Sequence, residues 1–346
     1  MRLIRSILLS LSLVATMAGC NRFETPYGDG TVDSSFSLYT GGSPDTRALS
    51  ATGESTVVRW CVFASQNGSI VGYATQSGNQ KITMRLSEGE SYDITAVVNY
   101  PTSFSPASYT AVSQVEDVVF DLSDNVPGRF IMFGQRNALV AGAYNTPIEV
   151  ERLVAKVTLE GFSVDFSEDP SLADKVFTLN KIYLINVYGK NTLKERFDAP
   201  SASGSYWYNK RQNDDDLSYF LLDEDIDLVL SADDPYEETH TFYMYPHNVS
   251  EDSHEEEWCP RYTRIVVEAM LDYETRYFFM SFENIRRNRN YRIRGAVIKT
   301  GGSSSPDAQD SVGDITGEDI TWEDLGEVDN DDISGEDIIW GDPEQW

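Results

Sequence analysis

The chain has 346 residues, of which 56 are acidic and 27 are basic, so its formal net charge at pH 7 is −29. This charge argues against nucleic acid or anionic lipid as a partner, because both are bound through basic patches. The length is enough for two domains with sizeable cores. After the N-terminal 19 residues no stretch approaches the roughly 18 apolar residues of a transmembrane helix.

The N-terminus has the pattern of a bacterial lipoprotein signal peptide, residues 1–19. Arg2 and Arg5 precede the apolar run 7–15, and the small residues at 18 and 19 come directly before Cys20. A peptidase would cut before Cys20, and its thiol would carry the lipid, so the membrane is reached only through this anchor. Plain secretion, with the cysteine there by chance, is the alternative.

Residues 31–40 alternate between apolar and polar side chains. Val32, Phe36 and Leu38 share one face, which predicts a strand with one buried side. The following residues, 41–47, are rich in glycine and proline and predict a loop.

The rest of the chain up to residue 300 alternates short β-branched and aromatic runs with turns. Helical periodicity is scarce, so two antiparallel β-sandwiches are predicted, residues 20–147 and 148–300, with Asn145-Thr146-Pro147 breaking the pattern between them. Gln66-Asn67-Gly68 predicts a tight hairpin. The predicted strands are 57–64, 69–74, 82–86, 92–99, 118–122, 129–134, 148–150, 154–166, 181–188, 239–245, 263–271, 277–282 and 291–299.

The C-terminal residues, 301–346, form an acidic tail. They contain fifteen Asp and Glu residues and neither Lys nor Arg, a composition that is typical of a solvated, disordered tail. Residues 314–324 nevertheless recur as residues 332–342 with a few substitutions, and each copy carries spaced Ile and Trp side chains. We call these segments the first tail copy and the second tail copy, and either could form a short strand.

The cysteines and histidines predict neither a disulfide nor a metal site. Cys61 and Cys259 are far apart in the sequence and are expected to be buried free thiols. The histidines, His240, His247 and His254, are spaced by seven, which does not match a metal-binding signature, so solvated loop histidines are expected. We expect no cofactor and no metal.

No catalytic constellation is evident, and an enzyme is not predicted. The chain lacks a Gly-x-Ser-x-Gly elbow, a phosphate loop and a dinucleotide-binding turn. Acidic clusters at 214–216, 223–227 and 329–332 leave calcium binding as an alternative, although the spacing of their residues does not match an EF-hand loop. Glycan binding is a further alternative, because Trp207 in the Tyr206-Trp207-Tyr208 cluster, or Trp258, could stack on a sugar ring.

Four segments resemble the fimbrillin family, the lipoprotein-type pilus subunits of Bacteroidia and their anchor and tip relatives. They are the signal-peptide end 13–20, the segment 43–49 ahead of the next strand, the segment 151–157 and the segment 288–293. The resemblance covers most of residues 20–300. It implies two tandem transthyretin-like antiparallel Greek-key β-sandwich domains with an acidic C-terminal extension.

The resemblance also implies a structural role in fimbriae at the outer membrane, supporting adhesion and biofilm formation. It implies lipidation of Cys20 and cleavage between Arg47 and Ala48 by an arginine-specific protease. An arginine in a loop rich in glycine and proline is accessible to such a protease, whereas Arg59 lies inside a predicted strand. The partners expected are other fimbrial subunits and the protease. Binding of a host or bacterial surface receptor is a further alternative.

Polymerisation by donor-strand exchange is the mechanism that the resemblance implies. Strand 31–40 would leave, and a strand of another subunit would occupy its place, so that subunits join head to tail. The tail is the natural donor. Its acidic residues, such as Glu318 and Asp319, suit a buried strand poorly, so an anchor subunit that keeps its lipid is the alternative. The candidate donor anchors are Ile315, Ile320 and Trp322, or Ile333, Ile338 and Trp340.

Overall fold

The computed structural model describes residues 30–39, 53–194, 204–210, 217–224, 226–249, 259–308, 315–316 and 319–324. These residues form mainly β-structure, with one short α-helix, α1 (Val112–Glu116), so the all-β prediction is confirmed. No helix in this part of the chain is long and apolar enough to cross a bilayer.

The first half of the chain, residues 30–152, forms a sandwich of two sheets. Its strands are β1 (Thr31–Tyr39), β2 (Arg59–Gln66), β3 (Ser69–Ser77), β4 (Ile82–Ser87), β5 (Ser91–Val98), β6 (Val119–Asp121), β7 (Met132–Val140), β8 (Asn145–Glu149) and β9 (Glu151–Arg152). One sheet has the order β4-β1-β8, and the other has the order β3-β2-β5-β7-β9. Phe36 and Ile148 of the first sheet are buried in the same hydrophobic cluster as Trp60, Val62 and Ile94 of the second.

The hairpin between β2 and β3 confirms the turn prediction. Gln66 pairs with Ser69, and the two residues between them, Asn67 and Gly68, have φ angles of 50° and 78°. A two-residue hairpin turn with positive φ at both positions matches the right-handed twist of the strands.

The second half, residues 153–324, forms another sandwich. Its strands are β10 (Ala155–Val164), β11 (Phe177–Ile185), β12 (Val187–Tyr188), β13 (Lys190–Thr192), β14 (Trp207–Tyr208), β15 (Leu222–Asp223), β16 (Leu228–Leu230), β17 (Tyr236–Met244), β18 (His247–Asn248), β19 (Thr263–Leu271), β20 (Glu274–Phe282), β21 (Asn284–Ile285), β22 (Arg289–Arg294), β23 (Ala296–Ile298), β24 (Ile315–Thr316) and β25 (Asp319–Asp324). One sheet contains β17, β10, β22 to β25, and the other contains β15, β16, β11, β19 and β20. Val157 and Ile293 of the first are buried in one cluster with Leu179 and Ile265 of the second.

The two halves are joined by direct contacts. β6 of the first half pairs with β13 of the second, and the ring centroids of Phe130 and Tyr243 lie 4.4 Å apart. Asp121 in β6 accepts hydrogen bonds from Lys190 and Tyr208. Burial opposes ionisation of Asp121, but these hydrogen bonds prevail and lower its pKa to about 2.

The sheets are mixed rather than purely antiparallel. β1 runs parallel to β8, and β10 runs parallel to β22 and β23. Parallel neighbours require long connections, and 110 positions separate Tyr39 from Glu149, which are paired.

The predicted break at residues 145–147 lies inside a strand. Pro147 is in β8, opposite Ser37 of β1. β8 is at the edge of its sheet, where the missing N–H of a proline is tolerated. Pairing within the first half therefore continues past the predicted boundary at residue 147, to Arg152 in β9.

Candidate functional site

The most distinctive feature of the first half is the position of its N-terminal strand. β1 is the central strand of its sheet, antiparallel to β4 on one side and parallel to β8 on the other. Residues 31–36 pair with residues 87–82, and residues 35–39 pair with residues 145–149. β1 thus fills a slot between two walls, β4 and β8, that come from later parts of the chain.

The inner face of β1 is part of the first core. Phe36 is fully buried and Leu38 is 9% exposed, while Val32 is half-buried and packs against the same cluster. At about 1.5–3 kcal/mol per buried side chain, these three contribute roughly 5–8 kcal/mol before ordering costs. Ser34 on the same face is also buried, and its hydroxyl donates to the carbonyl of Gly142 over 3.1 Å.

Backbone hydrogen bonds hold both ends of β1. The Glu88 amide donates to the Gly30 carbonyl over 2.7 Å, and the Val150 amide donates to the Tyr39 carbonyl over 2.9 Å. If β1 left, one groove with two unpaired strand edges and an apolar floor would remain. Such edges bind an added strand through main-chain hydrogen bonds.

Gly134 in β7 allows the β8 wall to come close. A Cβ at this position would overlap the carbonyl oxygen of Glu149 and lie 2.9 Å from Cγ1 of Val150. We expect Gly134→Ala to destabilise the chain by about 1–3 kcal/mol, because the backbone of β8 must move. Denaturant unfolding measures the loss. Gly72→Ala is the matched control, because its Cβ would meet only Sδ of Met84 at 3.5 Å; an equal loss in both variants would contradict the expectation.

A polar cluster holds the chain that follows the predicted cleavage loop. Glu54 accepts hydrogen bonds from Nζ of Lys156 over 2.7 Å and from the hydroxyl of Tyr243 over 2.8 Å, and both partners belong to the second half. Burial raises the pKa of Glu54, but these hydrogen bonds outweigh it, so its pKa lies below the ordinary value. Arg152 donates to the Glu54 carbonyl over 2.8 Å and to the hydroxyl of Ser55 over 2.9 Å.

The first tail copy contributes the edge strand of a sheet in the second half. β25 pairs antiparallel with β22, and β24 pairs antiparallel with β23. The register puts Ile320 opposite Ile293 and Trp322 opposite Tyr291. Sequence reasoning did not predict this pairing, although the arginines of 289–294 facing an acidic repeat were a usable signal.

Several predicted residues lie outside the described part of the chain. They are Cys20, Arg47 and Ala48 in the N-terminal segments, His254 and Trp258, and Ile333, Ile338 and Trp340 in the second tail copy. Their roles stay predictions.

The expectation of solvated histidines is wrong for two of the three. Nδ1 of His240 is 2.6 Å from a carboxylate oxygen of Asp223, and its Nε2 is 2.6 Å from the hydroxyl of Tyr236. His247 is 6% exposed and lies with Nε2 2.8 Å from the hydroxyl of Thr263. Both side chains are buried, His240 in the nine-residue strand β17 and His247 in the two-residue strand β18. In the described residues no group of three or more His, Cys, Asp and Glu is placed to hold a metal.

Acid is expected to weaken the fold through His247. Desolvation lowers its pKa from 6.5 to about 4. Because the folded value is the lower one, the unfolded chain binds more protons between these values. The contribution of His247 to the free energy of unfolding is therefore fully present above pH 6.5. It is lost as the pH drops towards 4, by at most about 3 kcal/mol. Urea unfolding at pH 7 and pH 4 measures this loss, which should be smaller in His247→Gln; an equal loss in both proteins would assign it to other groups.

One alternative, sugar binding by Trp207, and one expectation, the burial of Cys259, need correction. Trp207 is 5% exposed, with its ring centroid 5.2 Å from that of Tyr188, so it offers no face to a sugar. Its strand, β14, is paired with β12. Cys61 is buried as expected, whereas Cys259 is half-buried, and these two described cysteines form no disulfide.

Comparison with solved structures identifies the fold. A candidate cell adhesion protein from Parabacteroides distasonis superimposes with a TM-score of 0.62 at 13% identity, over 86% of this chain and 99% of that one. A candidate cell adhesion protein from Bacteroides eggerthii gives 0.60 at 14% identity, over 87% and 97% of the two chains. The fimbrilin of Porphyromonas gingivalis gives 0.57 at 13% identity, over 83% and 96%. The chain has the fold of these proteins, which confirms the resemblance noted in the sequence at the level of fold. No protein-family model and no curated protein matches the sequence.

Proposed function

We propose that this chain is a structural subunit of a cell-surface fimbrium and that it polymerises by exchanging β1 for a strand of a neighbouring subunit. The observation that supports this most is the central position of β1 between β4 and β8, in a fold that fimbrilin shares. A strand at an edge would leave one unpaired edge behind, whereas a central strand leaves a slot with two.

Export and processing complete the proposal. The lipid on Cys20 carries the chain to the outer membrane, and an arginine-specific protease cuts between Arg47 and Ala48. This bond lies in the connection between Tyr39, where β1 ends, and Gly53. Cleavage there separates β1 from the rest of the sandwich without removing any other strand of the described part of the chain.

The contacts of Glu54 explain how the remaining chain survives the loss of β1. Through its hydrogen bonds with Lys156 and Tyr243, Glu54 fixes the segment that follows the cleavage loop to the second half of the chain. The new N-terminus is thereby fixed close to its original place, and β2, which follows at Arg59, keeps its position in the second sheet.

An incoming strand replaces the lost stabilisation. The groove and the donor tail belong to different surfaces of one subunit, so each contact joins unlike surfaces and produces a filament rather than a closed dimer. The partners are therefore further copies of this chain or related subunits, with surface receptors bound by the assembled fimbrium.

The second candidate role is an anchor or accessory subunit that keeps the lipid on Cys20 and is not cut. The acidic residues of the tail favour it, because a buried carboxylate without a partner is costly. Glycan binding through Trp207 is not proposed, since that ring is buried.

Sequencing of the mature N-terminus tests the proposal. A chain that starts at Ala48 and forms ladders in gels of unboiled samples is the expected result. A chain that keeps lipidated Cys20 supports the anchor role, and a plain monomer in every preparation would refute polymerisation. Arg47→Ala should block maturation, while Arg59→Ala, in the paired strand β2, should not affect the cleavage position.

Deletion of the tail is the complementary experiment. The cut belongs after Ala308, because Asp307 forms an ion pair with the buried Arg261. Residues 1–308 should be exported and folded but unable to join filaments. Filaments of this truncated protein would show that the donor lies elsewhere.

A further inference from the structure

The strand edge that receives the first tail copy is basic in a strongly acidic chain. β22 carries Arg289, Arg292 and Arg294 within six residues. Arg292 and Arg294 donate from Nε to the two carboxylate oxygens of Glu160 in β10, over 2.8 Å and 2.7 Å. One carboxylate thus bridges two guanidinium groups on this part of the sheet.

The register matches this charge. Asp324 lies opposite Arg289, Asp319 lies opposite Arg294, and Glu323 is diagonal to Arg292. Opposite charges at facing and diagonal positions of an antiparallel pair attract each other. The first tail copy is therefore complementary in charge to the edge on which it lies.

The second tail copy lacks part of this complementarity. Thr321 and Glu323 of the first copy correspond to Ile339 and Gly341 of the second, at an offset of eighteen. The second copy thus has one acidic residue fewer in the paired stretch and an uninterrupted apolar run, residues 338–340.

The groove of β1 suits a strand with apolar anchors. β1 itself carries one charged residue, Asp33, between Thr31 and Tyr39. The floor of the groove is apolar: Trp60 of β2 and Met84 of the neighbouring strand β4 are buried in the cluster against which β1 packs. Alternation that points Ile338 and Trp340 at this floor points Ile339 and Gly341 away from it, as it does Thr321 and Glu323 in the first copy. The floor therefore accepts either copy, and what distinguishes them is that the first copy is already paired with β22 in its own subunit.

The connection between the copies allows both sites to be used at once. β25 ends opposite Arg289, and the neighbouring Asn288 amide donates to the Val154 carbonyl over 2.9 Å at the junction of the two halves. Eight residue steps from Asp324 to Asp332 extend to about 26–29 Å. The second copy can thus leave the subunit while the first stays paired.

We propose that the two tail copies have different tasks. The first caps the basic edge of β22 and β23 within its own subunit, and the second is the strand that enters the vacated β1 groove of a second copy of this chain. This division rests on the proposed function, because it identifies which segment is the donor in strand exchange.

Two matched tryptophan variants of the full chain test the division. Trp340→Ala should lower the fraction of chain in boiling-sensitive ladders at least about tenfold, since a large aromatic anchor is lost from a strand that must be buried. Trp322→Ala should change that fraction by less than about twofold and should instead speed amide hydrogen exchange over β22 and β23, because the edge loses its cap. Trp340→Ala should leave that exchange unchanged.

Each other outcome overturns the division. Loss of ladders in Trp322→Ala alone would make the first copy the donor, and loss in both would mean that both copies are needed for exchange. Ladders in both variants at the wild-type level would place the donor outside the tail while leaving the fimbrial role intact. Absence of ladders in the wild-type mature chain would refute the proposed function itself.

Discussion

Phe36→Ala should destabilise the uncleaved chain by about 3–5 kcal/mol, the cost of truncating a fully buried phenylalanine. The same substitution should leave assembled filaments unaffected, because a subunit that has exchanged β1 no longer contains residue 36. Denaturant unfolding of the precursor and the dissociation temperature of filaments in detergent measure the two effects.

Phe63→Ala is the matched control for this experiment. Phe63 is also fully buried, but it lies in β2, which stays in the sandwich after cleavage at residue 47. It should weaken the precursor and the filament alike. A filament weakened by Phe36→Ala would show that β1 is retained, and the exchange mechanism would then fail.

Asp307→Ala is expected to lower the stability of the folded chain by about 3–5 kcal/mol, because it leaves a buried guanidinium without its carboxylate. Arg261 and Asp307 form an ion pair in which the side chains are 2% and 8% exposed. Asp307 also accepts a hydrogen bond from Nδ2 of Asn186 over 3.0 Å. The free energy of unfolding, measured by denaturant titration, reports the loss.

The control is Asp272→Ala at an exposed ion pair. Asp272 and Lys175 are 36% and 38% exposed, with Oδ2 and Nζ 2.8 Å apart, and exposed pairs contribute about 0–1 kcal/mol. Similar losses in Asp307→Ala and Asp272→Ala would mean that burial of the Arg261 pair does not matter. A larger loss in Asp307→Ala than in Asp272→Ala would also support cutting the tail after Ala308, because Asp307 would then be needed for the stability of the folded chain.

Local patterns in the sequence were sufficient to predict most strands and one turn. The alternation of Val32, Phe36 and Leu38 predicted the buried face of β1, and Asn67-Gly68 predicted the hairpin between β2 and β3. Alternation and turn chemistry act over a few residues, so they can be recognised before any partner strand is known.

Burial of single polar or aromatic residues was harder to predict. His247 was expected to be solvated and Trp207 was an alternative candidate for sugar binding, and both are buried, with their ring centroids 6.2 Å apart. They lie on short strands of two residues, β18 and β14, for which alternation carries almost no information. Their environment is set by β12 and β21, which pair with these strands from elsewhere in the chain.

The amino-acid sequence alone was enough for the strand content, the inward face of β1 and the repeat in the tail, while export and cleavage stay predictions. Folding in three dimensions decided which strands became neighbours: β1 lies between β4 and β8, and β25 of the first tail copy pairs with β22. The physical reason is that a strand can pair with any edge of suitable shape and charge, and the choice depends on contacts between residues more than a hundred positions apart, such as Tyr39 and Glu149.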